Sequence, residues 1–66
     1  MNIVLNGECR QVREGAHLSD LVVELSLTGQ RFAIEVNAEL VPRSRFAEHR
    51  LNPDDRVEII QAVGGG

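Results

Sequence analysis

Asn6-Gly7 stands between the apolar run Asn2-Ile3-Val4-Leu5 and the polar run that begins at Glu8, and it limits the fold more tightly than any other dipeptide here. A type I′ turn needs positive φ at both central positions, and Asn followed by Gly meets that demand at little cost. The chain is therefore expected to open as a hairpin. Its first strand covers residues 2–6 with Ile3 and Leu5 on one face. The returning strand covers 8–13 and is polar enough to lie at a sheet edge, and Gly15 breaks the chain after it.

Leu18, Leu21, Val22 and Leu25 recur at i, i+3, i+4 and i+7, which is one face of a helix. The reading places that helix over 18–27, with Ser19 or His17 as its cap and Asp20 suited to the dipole of the first turn. Thr28-Gly29-Gln30 stops it. Phe32 to Asn37 alternates as a half-buried strand, and Leu40-Val41-Pro42 is a short strand closed by proline. Residues 43–50 gather Arg43, Arg45 and Arg50 around Phe46 as an irregular turn or short helix. Asn52-Pro53-Asp54-Asp55 has proline where a type I turn takes it, and 56–63 form the last strand.

The first and last strands are the most apolar, which places them centrally in a mixed sheet crossed by one helix. The fold class is thus α+β, with four to five strands and one main helix packed on one face. Alternation turns Val57 and Ile59 toward the helix, and Glu58, Ile60 and Ala62 away from it. Val4 points outward by the same parity. If the first and last strands are neighbours, Val4, Ile60 and Ala62 make an exposed apolar strip that runs toward the C-terminal end, a candidate docking surface. Scattered surface aliphatics are the ordinary alternative.

At 66 residues the chain has room for one core and little space for a catalytic cleft beside it, which favours a carrier, modifier or binding module over an enzyme. A net charge of −3 offers no basic surface to nucleic acid or anionic lipid. The single Cys9 cannot form an internal disulfide, which fits a reducing compartment. No charged leader with an apolar stretch opens the sequence, and no run approaches a membrane span. The expectation is a cytoplasmic protein that partners neither membrane nor nucleic acid. No phosphate loop, nucleophile triad or paired-carboxylate site is present. His17 and His49 have no metal-like spacing with Cys9, so no metal site is expected. Helix capping or exposure accounts for the two histidines, and a structural or incidental role for Cys9; Arg43, Arg45 and Arg50 could pair with acids on a partner or with Glu48 and Asp54, and a solvated face is the plainer account.

The last three residues are Gly64-Gly65-Gly66. Glycine has no side chain to obstruct a tunnel and tolerates nearly any backbone conformation, and three such residues extend about 10 Å. The reading divides the chain into one domain over 1–63 and a flexible glycine tail over 64–66 that presents the Gly66 carboxylate to a partner's active site. A frayed terminus is the plainer alternative.

Taken with that tail, Met1-Asn2-Ile3-Val4-Leu5-Asn6-Gly7-Glu8, Leu18-Ser19-Asp20-Leu21-Val22, Val36-Asn37-Ala38-Glu39-Leu40-Val41-Pro42-Arg43 and Asp54-Asp55-Arg56-Val57-Glu58-Ile59-Ile60 resemble the bacterial thiamine-pathway sulfur carriers. These are small proteins of the ubiquitin-like β-grasp fold, and the resemblance runs nearly end to end. The terminal diglycine is shared with ubiquitin-like modifiers and molybdopterin synthase small subunits. The Val-Asn-x-Glu-x-Val-Pro-Arg segment and the short length favour the thiamine branch.

The resemblance implies that an adenylating enzyme of the ubiquitin-activating type uses ATP and Mg²⁺ to activate Gly66. A sulfur donor system then displaces AMP to leave a terminal thiocarboxylate, and thiazole synthase takes the sulfur into the thiazole ring of thiamine. Gly66 carries the sulfur in that scheme, Gly65 completes the diglycine, and Gly64 lengthens the arm. The chain would be a co-substrate that catalyses nothing itself and holds no cofactor. A protein modifier, or a carrier for molybdopterin, cysteine or tRNA thiolation, is the alternative within the fold. A non-covalent binding module is a third class.

Overall fold

The computed structural model describes residues 1–61, so the expectations for Ala62, Val63 and Gly64 to Gly66 lie outside the described residues. The expected hairpin is present. Strand β1 (Asn2–Leu5) pairs antiparallel with β2 (Glu8–Gln11), Leu5 opposite Glu8. Asn6 and Gly7 take φ of 49° and 83°, the two positive values that a type I′ turn requires. Helix α1 (Leu18–Glu24) follows, then β3 (Phe32–Val36), β4 (Glu39–Val41), a 3-10 turn at Arg43–Arg45, and β5 (Arg56–Gln61).

The sheet order is β2-β1-β5-β3-β4. The first strand and the last are indeed neighbours and run parallel, whereas the other pairings are antiparallel. This is the five-stranded mixed sheet with a single helix expected of the β-grasp fold. Leu18 and Leu21 of α1 are buried in one cluster with Ile3, Ile34, Val36, Val41, Phe46, Leu51 and Val57. Each large aliphatic fully removed from water contributes about 1.5–3 kcal/mol, so this one cluster holds the domain together.

Helix α1 is shorter than its periodicity suggests. Ser26 adopts φ 58° and donates to the Val23 carbonyl at 3.0 Å, while Leu27 N–H reaches back to Val22 at 3.0 Å. These two bonds are a Schellman closure with serine in the left-handed position that glycine usually fills. Leu25 still packs on the core from just past the helix, which is why the spacing read as helix to 27. His17 is the N-cap, and its N–H donates to the Asp20 carboxylate at 2.9 Å, the reciprocal half of a capping box. Ser19 lies inside the helix.

Two further turns differ from expectation. Asp54 has φ 67°, the third-position value of a type II turn rather than type I. Asp55 imposes this geometry, because its Oδ2 accepts the Asn52 N–H at 2.8 Å. Asn37 and Ala38 both have positive φ, 52° and 70°, and close a second two-residue hairpin with Val36 opposite Glu39. The sequence hid that hairpin because alanine occupies the place where type I′ turns take glycine.

Candidate functional site

Everything the sequence assigns to chemistry depends on how β5 ends. Arg56 to Ile59 alternates charged and β-branched residues, which suits a strand with one covered face, and Ile60 breaks the pattern on the outward side. Val57 is fully buried and Ile59 packs on the core, whereas Ile60 is 50% exposed on the other side. The parity read from sequence is correct for all three residues.

The register divides β5 into two halves. Its start pairs with β1 only at Val4–Arg56 and Leu5–Val57, while its pairing with β3 runs from Val36–Val57 to Phe32–Gln61. β5 therefore outruns β1 and continues toward the C-terminus with β3 as its one strand partner. The side chain of Asn6 covers the exposed flank, its Oδ1 accepting the Ile59 N–H at 2.8 Å.

That stagger corrects the expected strip. Val4 lies level with Arg56 on β5 and Cys9 on β2, and shares its surface hollow with Gly7, Arg56 and Glu58. Ile60 lies two alternations further along, opposite Ala33, with Glu58 between it and Val4. The two do not form one continuous apolar surface, and Ala62 is outside the described residues. Leu40, 66% exposed, sits opposite Glu35 on β4. The apolar residues of the open face are thus Ile60, Ala33 and Leu40, beside the directly opposed carboxylates Glu35 and Glu58. Ala33 and Leu40 were legible as outward by parity, but only the register sets Ala33 opposite Ile60 and Leu40 one strand further out beside Glu35.

At the end of β5 the chain builds a second feature from distant residues. The Gln61 amide donates to Gln30 Oε1 at 2.8 Å, and the Gln30 carbonyl accepts from Arg43 Nη2 at 2.7 Å. The Arg43 guanidinium lies 4.3 Å from the centre of the Phe32 ring. Phe32 in turn stacks on buried Phe46, with centroids 6.0 Å apart and planes at 21°. Arg43 is thus held against the strand pair from which the glycine arm follows, rather than on an unconstrained solvated face.

The remaining candidates stay apart from this end. Cys9 is exposed on edge strand β2. His17 bridges to Arg50, and the His49 carbonyl accepts the Leu18 N–H at 2.9 Å, so both histidines serve the helix start through their main chains. Among the described residues no group of three His, Cys, Asp or Glu is placed to hold a metal ion. No helix there is long and apolar enough to cross a membrane.

Comparison with known proteins agrees with this geometry. The model of the ThiS family matches residues 3–66. The chain is 27% identical over its whole length to the sulfur carrier protein ThiS of Escherichia coli, covering all of that protein. It is also 36% identical over 66 residues to a thiazole synthase of Paramagnetospirillum magneticum, of whose length it spans only 20%. The crystal structure of the thiamine biosynthesis protein ThiS from Geobacter metallireducens superposes with a TM-score of 0.85 at 28% identity, with both chains fully covered.

Proposed function

The chain belongs to the ThiS family, and on that premise we propose that it carries sulfur for thiamine biosynthesis on the carboxyl group of Gly66. The observation that bears most weight is β5, a central strand whose last residues run past β1 and which Ala62, Val63 and Gly64-Gly65-Gly66 follow in the sequence. A globule of this size serves as a rigid handle, and the arm alone enters a partner's site.

The chemistry needs a partner, because a carboxylate is a poor electrophile. An adenylating enzyme of the ubiquitin-activating type would bind ATP and Mg²⁺ and let the Gly66 carboxylate attack the α-phosphorus, releasing pyrophosphate. A sulfur nucleophile from the donor system would then displace AMP from the acyl carbon. The resulting thiocarboxylate is a nucleophile tethered to a protein, so its sulfur does not diffuse away as sulfide. Thiazole synthase would receive it. The likeness of the whole chain to one fifth of a protein named thiazole synthase supports that partnership, since there the two kinds of unit share one polypeptide.

Docking falls to the open sheet face around Ile60, and Ala62 is assigned to it from the sequence alone. Val4 has a minor part, since Glu58 separates it from Ile60. Intact mass after incubation with ATP, a sulfur source and the cognate adenylating enzyme tests the proposal. The expected result is a gain equal to replacing one oxygen by sulfur, confined to the C-terminal peptide and absent when Gly65 and Gly66 are deleted. No gain, under conditions that convert another member of the family, overturns it. Target lysines carrying the remnant of residues 57–66 in tryptic digests of cells would instead favour a protein modifier.

A further inference from the structure

We propose that Arg43 is a docking cation for an acidic side chain on the activating enzyme, at the rim of the channel that takes the arm. The inference rests on the function proposed above and concerns what holds the root of the arm while its tip reacts.

An arginine carries five N–H donors in a planar fork. Here one donor is given to the Gln30 carbonyl at 2.7 Å and the guanidinium lies over Phe32, while the residue as a whole stays exposed. The ion pairs among the described residues use Arg10, Arg13 and His17. Arg43 has a carbonyl and a ring where those cations have carboxylates, so its charge is oriented but not neutralised by them. Fixing a long side chain in the free protein removes most of the ordering cost from association, and a bidentate carboxylate is the group that the remaining edge of the fork matches best.

Position selects the partner. Phe32 pairs with Gln61, and Gln30 bonds both Gln61 and Arg43, so the cation stands beside the last described residue of β5. Five residues follow Gln61, a reach of about 17 Å when extended. A nucleotide reacting at Gly66 is thus served at the tip of the arm, and the surface that meets Arg43 is the protein wall around the entrance. A carboxylate there would take the free edge of the guanidinium, give a salt-dependent attraction, and fix the angle at which the arm enters.

Arg43→Gln and Arg43→Lys test this, with calorimetric affinity for the cognate adenylating enzyme measured at low and high salt, alongside thermal melting of each free variant. Arg43→Gln is expected to bind about tenfold more weakly at low salt, and to lose much of the salt dependence that the unsubstituted chain shows. Arg43→Lys keeps the charge but not the fork, and is expected to fall between the two. Should Arg43→Gln melt below the assay temperature, the lysine variant decides. Affinity and salt dependence equal to those of the unsubstituted chain overturn the inference and leave Arg43 a brace for Phe32. If the unsubstituted chain binds and gains sulfur while the variants match it, only this inference fails. If the unsubstituted chain neither binds nor gains sulfur, the proposed function fails and the inference falls with it.

Discussion

Asp55→Ala removes the polar knot that starts β5. Asp55 is 7% exposed, the only buried charged residue among those described. Its two carboxylate oxygens accept from the Asn37 side-chain amide at 3.0 Å and from the Asn52 N–H at 2.8 Å. Asn37 then completes the circuit by accepting the Arg56 N–H at 3.0 Å. Hydrogen bonds to a charged group contribute about 1.5–3 kcal/mol each, so loss of both has an upper bound of roughly 3–6 kcal/mol. Asn37 and Asn52 are themselves exposed, and water recovers part of each bond once the carboxylate has gone. The expected loss is therefore about 2–3 kcal/mol. A domain of this length has roughly 3–10 kcal/mol of stability in all. At about 4–8 °C per kcal/mol for small domains, Tm should fall by about 10–20 °C. Circular-dichroism melts with a urea titration measure it. Asp55→Asn, which keeps one acceptor, should lose about half as much. A loss below about 0.5 kcal/mol for the alanine variant would refute the assignment of this knot as a major clamp on β5.

The open face and the second hairpin supply two further tests. Ile60→Asp should change stability by less than about 1 kcal/mol yet weaken capture by the adenylating enzyme in a pull-down, whereas Ile59→Asp places an unpaired charge against the core and should unfold the domain. Equal melting temperatures for the two would mean that the faces of β5 are reversed. Ala38→Gly should raise stability by about 0.5–1 kcal/mol, because alanine at φ 70° is strained where glycine is not; an unchanged or lower Tm would show that the turn carries no such strain.

Elements with a local cause were readable from the sequence. Asn6-Gly7 needed only turn chemistry, and Leu18, Leu21, Val22 and Leu25 needed only helical spacing. The parity of Val57, Ile59 and Ile60 followed from the pleat. What could not be read was decided between segments. A hairpin fixes its own register, but β1 and β5 meet across most of the chain's length, and no nearby residue sets their stagger. The placement of Val4 beside Arg56 rather than Ile60 was therefore out of reach. Ser26 and Ala38 accept left-handed φ because the neighbouring bonds compel them, against their own preference. The cluster of Gln30, Phe32, Arg43 and Gln61 joins three places in the chain, and nothing in any one of them announces the others.

The central position of β5 has a mechanical consequence. A partner that draws the chain in by its carboxyl end applies tension along this strand, and inter-strand hydrogen bonds lie across that direction. The bonds to β3, and those to β1 nearer the strand's start, then share the load together in shear instead of opening one after another as a peeled edge would. With Asn6 fastened to Ile59 beyond the end of β1, the pull also reaches the first hairpin. A body loaded in this way resists a pull on its carboxyl end without unravelling from that end.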